Sequence, residues 1–95
     1  MRLQYSAIFQ YDSDGINISF PDIPKAITCA YSWCEAIHMA KEVLELVLHG
    51  ERITTLPTAT PKERIACDEA TEIVDIAIIM RVKNGILYGY NIKDL

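Results

Sequence analysis

Cysteine is scarce in this 95-residue chain. There are three, Cys29, Cys34 and Cys67, an odd number with no Cys-x2-Cys pair among them. Disulfide frameworks and zinc ribbons need paired cysteines, so neither is expected, and reduced thiols in a cytoplasmic setting are. Glycine and proline, four of each, are too few for a collagen-like or low-complexity chain. No apolar run approaches the roughly 20 residues of a membrane-spanning helix. The longest candidate, Ile76 to Met80, has the length of a strand. The segment Met1-Arg2-Leu3-Gln4-Tyr5 has one charge but no apolar core after it, so no signal peptide is expected. A basic stripe is missing as well. Nine Lys and Arg stand against 13 Asp and Glu, for a net charge of -4. Over residues 1–50, Arg2, Lys25 and Lys41 are outnumbered by Asp12, Asp14, Asp22, Glu35, Glu42 and Glu45. Binding to a phosphate backbone draws on clustered cations, so autonomous nucleic-acid binding is disfavoured. A mildly acidic protein is better suited to a basic protein partner.

What is present describes one folded domain. Apolar residues make up 51% and charged residues 23%, and two separate cores would each be too small to bury enough surface. Leu3, Tyr5, Ala7, Phe9 and Tyr11 alternate with Gln4, Ser6 and Gln10, the period of a half-buried strand. Asp12-Ser13-Asp14-Gly15 supplies a turn, and Ile16, Ile18 and Phe20 return as a second strand that Pro21 and Pro24 stop. Residues 26–31 have room for a short third strand. Ser32-Trp33-Cys34-Glu35 has capping-box spacing, with the serine capping the glutamate NH and the glutamate reaching back. Trp33, Ala36, Ile37, Ala40, Val43, Leu44, Val47 and Leu48 then follow helical spacing up to Gly50, which predicts a helix from Trp33 to His49. Met39 and Leu46 lie off that stripe. Thr60-Pro61-Lys62-Glu63 predicts one or two further helical turns. Ile73 to Val82 resembles a buried central strand, Asn84-Gly85 a tight turn, and Ile86 to Ile92 a returning strand interrupted by Gly89. The expected architecture is α/β (α+β): β-β-β-α-(short α)-β-β, an antiparallel-rich sheet packed on one main helix. A final strand with a free edge would favour association into a dimer or tetramer.

Candidate chemistry is thin. Two-metal nuclease chemistry needs converging carboxylates holding ions ~4 Å apart. Asp12, Asp14, Asp22, Glu42 and Asp75 are the available groups, and the first two are better explained as turn residues. Asp75 interrupts an apolar strand, as a single hydrogen-bonded carboxylate or a contact to a basic partner. Cys34 and His38 share a helix face, yet the cysteines are better read as small buried apolar residues than as metal ligands. Neither His38 nor His49 has an assigned nucleophile or base beside it. No catalytic residue, metal or cofactor is therefore assigned, and the protein is not expected to be an enzyme. Trp33 is read chiefly as packing over the sheet edge, with partner anchoring as the alternative, since tryptophan is enriched at binding hot spots. Tyr88 and Tyr90 are placed on one face of the last strand, for sheet packing or oligomer contact. They could also stack bases if the sheet surface bound RNA.

Several of these features occur together in one known pattern. Tyr5-Ser6-Ala7-Ile8-Phe9 is followed by the Asp14-Gly15 turn, by Ser19-Phe20-Pro21-Asp22-Ile23-Pro24, by Thr28, and by Ser32 with Glu35-Ala36 and Ala40 opening the helix. In this the sequence resembles the HicB family of antitoxins, in detail over residues 3–50 and in order of elements over 51–82. It departs at Lys25 and Ala30, where the family commonly has glycine. The resemblance implies a partly degraded ribonuclease-H-like fold forming a single HicB-like domain over residues 1–95. It implies a partner as well: a HicA-type toxin, a small basic mRNA-cleaving protein whose active site the antitoxin covers. Phe20, Pro21, Asp22, Pro24, Thr28 and Glu35 are then architectural motif residues whose exposed rim is available to the partner. Many relatives add a C-terminal DNA-binding domain. The residues after Arg81 contain a turn and tyrosines rather than a helix pair, so DNA binding is not expected. The alternative is a small RNA-binding or phage accessory protein using its sheet surface without a toxin partner.

Overall fold

A computed structural model of the chain describes residues 1–92. Five strands form one antiparallel sheet in the order β3-β2-β1-β4-β5. They are β1 (Arg2–Asp12), β2 (Gly15–Ser19), β3 (Ile27–Ala30), β4 (Thr71–Lys83) and β5 (Ile86–Gly89), with one helix, α1 (Trp33–Leu48), between β3 and β4. The predicted mixed α+β class is the one observed. The predicted short second helix is a single 3-10 turn, Lys62–Arg64, and a similar turn occupies Ile53–Thr55.

Alternation decides which side of the sheet is covered. Leu3, Tyr5, Ala7 and Phe9 of β1 are buried together with Ile16, Ile18, Ile76, Ile78, Met80 and Leu87. Against them lies α1 with Ala36, Ala40, Leu44 and Leu48, a stripe of four-residue spacing whose two alanines let the helix axis come close. Ser32 caps the helix, its Oγ accepting from Glu35 N at 3.2 Å. Glu35 does not reach back to Ser32 as the capping box predicts. It accepts from Tyr31 N instead, at 3.2 Å. The helix ends at Leu48, one residue earlier than predicted, with His49 as the cap.

β4 is internal in the order, as expected for a central strand, but it is not buried on both faces. Ile79, on the open face, is 63% exposed, because α1 covers only one side. The 3-10 turn at Lys62–Arg64 also contacts β4, and on the side away from α1 Ser6 and Ile73 are buried. The β4–β5 turn has positive φ at both Asn84 (54°) and Gly85 (74°), the geometry that favours an Asn-Gly pair.

The expected strand over 86–92 stops at Gly89. The carboxylate of Glu45, on the buried side of α1, accepts from Asn91 N at 2.7 Å and Asn91 Nδ2 at 3.2 Å and draws the chain off the line of the sheet. Gly89 sits directly against this group: a Cβ there would lie 2.6 Å from Glu45 Oε1. Nor is the edge of β5 free. Gly50 N donates to Leu87 O (2.8 Å), Leu87 N to Glu51 O (2.8 Å) and Ile53 N to Gly85 O (2.9 Å). The chain leaving the helix therefore covers the edge that the sequence left open for association.

Candidate protein-binding site

The carboxylates considered for metal chemistry do not converge. Asp12 accepts from Asn17 Nδ2. Asp22 accepts from both Thr60 N (2.8 Å) and Thr60 Oγ1 (2.6 Å). Glu42 lies 3.4 Å from His38 across one helical turn. Asp75 accepts from the buried Ser6 Oγ at 2.8 Å and faces the open side of the sheet. Among the described residues no three His, Cys, Asp or Glu side chains are grouped to hold a metal ion. Cys29, Cys34 and Cys67 are all exposed, contrary to their reading as buried apolar residues. Alternation turns Cys29 to the open face of the sheet, and Cys34 lies on the outer side of the helix.

The motif residues divide into interior and rim. Phe20 is buried, whereas Pro21 and Pro24 are exposed. Asp22 clamps the connector after α1 through its two bonds to Thr60. Tyr5 fixes the same connector from below, its hydroxyl donating to Pro57 O at 2.7 Å. Burial and then the charge of Asp22 raise the Tyr5 phenol above its ordinary value. Thr28 is half-buried on β3, and Glu35 is exposed at the helix start.

Tyr88 and Tyr90 do not form a pair on one strand. Tyr88 is half-buried, its ring edge-on to His49 at 5.7 Å. Tyr90 lies past the end of β5 and takes the Arg81 guanidinium over its ring at 5.3 Å. Arg81 lies opposite Tyr88 in the β4–β5 ladder and also covers the Tyr90 ring, so both tyrosines adjoin the same guanidinium.

A different cluster is assembled where the helix begins. Tyr11 and Glu72 sit near the meeting ends of β1 and β4, and Trp33 is the first residue of α1. Tyr11 Oη donates to Glu72 Oε1 at 2.6 Å and Trp33 Nε1 donates to the same oxygen at 3.2 Å. The hydrogen bond to Glu72, followed by burial and the carboxylate charge, pushes the Tyr11 phenol up to about 12. Trp33 is 50% and Tyr11 40% exposed, so each ring is half covered and half open to solvent. Two aromatic rings are thus held at the surface by one carboxylate, and no described group donates to its second oxygen. A fixed carboxylate flanked by aromatic faces is the surface chemistry that receives an arginine or lysine, through a charge-assisted bond and a cation–π contact. Sequence reading named Trp33 but missed Tyr11 and Glu72. Only the β1–β4 register, with Gln10 opposite Thr71 and Phe9 opposite Glu72, brings the three together.

The sheet and helix define the class of protein as a small α+β domain with one face of an antiparallel sheet covered. No protein-family model and no curated protein matches the chain. Among solved structures, a chain of a toxin-antitoxin complex from Streptococcus pneumoniae is similar, with a TM-score of 0.63 at 18% identity over 81% of this chain and 69% of that one. At that identity the likeness establishes the fold, a fold that occurs in a toxin-antitoxin complex.

Proposed function

We propose that the protein is an antitoxin domain of HicB type. It works without catalysis in the cytoplasm, by binding a small basic HicA-type toxin and covering its RNA-cleaving site. One convergence carries this reading. The residue pattern from Tyr5 to Ala40 resembles an antitoxin family, and the fold, compared separately, resembles a chain of a toxin-antitoxin complex. The net charge of -4 suits a basic partner. The Tyr11–Glu72–Trp33 corner supplies a preorganised place for a toxin cation, since its rings need no ordering on binding. Occlusion then proceeds by steric cover of the toxin site and by attraction of its cations, with no bond made or broken in the antitoxin.

The test is co-expression with a short basic protein encoded beside this chain. Restored growth and a co-purifying complex are the expected outcome, weakened by Trp33→Ala and by Glu72→Gln. A partner that remains toxic and does not co-purify would reject the reading for that pair. Binding of single-stranded RNA that falls steeply with salt would instead favour the alternative of an RNA-binding accessory protein.

A further inference from the structure

Among the described residues, two long unpaired stretches of sheet backbone stand at its margins. The first is the side of β4 over residues 73–79, next to a groove of about 920 Å³ walled by α1 and by Tyr90, Asn91 and Ile92. There β5 and the residues after it stand directly in the row, so a long strand cannot run through. The second is the outer edge of β3, with no described strand ahead of it.

The ladder fixes which groups β3 presents. Met1 N donates to Met80 O and Met80 N to Met1 O, so the odd positions of β1 bond to β4 and its even positions to β2. Carried through the registers Gln10↔Asn17 and Ile18↔Thr28, this makes Thr28 and Ala30 bond inward to β2. Ile27 and Cys29 turn their NH and CO groups outward, and no described residue bonds to them. The edge lacks the usual protection: β3 contains neither proline nor a charge. Beside it, Ile27 is 68% and Tyr31 85% exposed.

We propose that this edge is covered by the β3 of a second copy of the chain, paired antiparallel about a two-fold axis at Thr28. Outward-facing residues must meet outward-facing residues, which puts Ile27 opposite the partner's Cys29 and, by symmetry, Cys29 opposite the partner's Ile27. The threonines meet at the axis on the helix side. Charge selects this register. It brings Lys25, which has no ion pair among the described residues, beside the partner's Tyr31. The Tyr31 NH holds the Glu35 carboxylate, so an ammonium meets a carboxylate at both ends of the interface. An axis at Cys29 would set Ile27 against the partner's Tyr31 and leave both lysines unmatched. The two sheets then continue as one, and the most exposed aliphatic side chain of the edge leaves water. This association does not depend on a toxin partner.

The test uses the full chain alone. Light scattering over a dilution series should show a dimer that dissociates as concentration falls. Ile27→Lys should raise the dissociation constant by about tenfold or more while leaving the circular dichroism unchanged. Leu46→Lys, at a similarly exposed apolar site on α1, should leave it unaltered. A monomer at every concentration, or a dimer sensitive to Leu46→Lys and not to Ile27→Lys, overturns the proposal. The register has its own readout in a Cys34→Ser/Cys67→Ser chain. With the axis at Thr28 the two remaining cysteines are diagonal neighbours, about 7–8 Å apart. That separation is beyond the usual reach of a disulfide and within that of a short bis-maleimide. Maleimide linkage without disulfide formation supports the axis, and ready disulfide formation overturns it.

Discussion

The contact between Gly89 and Glu45 can be tested by a double-mutant cycle. In Gly89→Ala the new methyl would sit 2.6 Å from Glu45 Oε1 and 2.7 Å from Glu45 Cγ. Glu45 cannot simply swing aside, because it is 7% exposed and two bonds from Asn91 hold its carboxylate. Forcing it costs about 2 kcal/mol, typical of overpacking. Glu45→Ala removes both hydrogen bonds that hold Asn91 to a charged acceptor, for a loss of about 2–3 kcal/mol. If the effects were independent, the double variant would lose about 4–5 kcal/mol. With Glu45 gone, however, the alanine methyl at 89 meets only the far end of a flexible side chain, Ile92 Cδ1 at 2.9 Å, and the double variant should lose about as much as Glu45→Ala alone. The coupling is then about 2 kcal/mol, roughly 8–16 °C in melting temperature for a domain of this size. Urea unfolding followed by circular dichroism reads all four corners. Additive losses, or a Gly89→Ala chain as stable as the wild type, would refute the claim that the carboxylate and the glycine share one space.

Further outcomes follow from other contacts. Leu44→Ala empties a fully buried site between helix and sheet and should cost 2–5 kcal/mol in denaturant unfolding. Asp22→Ala releases both bonds to Thr60, so limited proteolysis between 56 and 66 should accelerate while the helical signal is kept. Near-ultraviolet absorbance should show one tyrosine ionising near 12, and Tyr11→Phe should abolish that phase. The sign of the linked stability is fixed: the folded state holds this proton more tightly than the unfolded one. The contribution is complete below pH 10 and is lost as the pH rises towards 12. Glu72→Gln should bring the phase down towards the ordinary value.

Local signals carried the reading of the fold. The strand over 3–11, the Asp14-Gly15 turn, the helix from Trp33 and the Asn84-Gly85 turn all follow from period, caps and turn residues within a few positions. The larger misreadings share one physical origin, contacts between distant residues. Nothing near Gly89 says that Glu45 will end β5, and nothing near Ile86 says that residues 50–53 will line its edge. The apolar run over 73–82 looks buried on both sides because sequence cannot count how many helices will cover a sheet, and one covers this one. The candidate site was the least visible part. Trp33 stands out as the single tryptophan, but its surface setting depends on Glu72 and Tyr11, which join it only after β1 and β4 pair.

That pairing also governs the order in which the protein can be made. β1 is completed by a strand whose partners lie up to 79 positions away. During synthesis, β1, β2, β3 and α1 leave the ribosome well before β4. Until β4 arrives, β1 offers a bare apolar edge from Leu3 to Phe9, beside a half-built core. Ladders this remote form slowly, and chains that wait for them are exposed to aggregation and to proteases. The newborn domain therefore has an interval of vulnerability set by the time to translate residues 49–83. Insertions in the connector, which lengthen this interval, should lower the yield of folded protein with little change in the stability of what does fold.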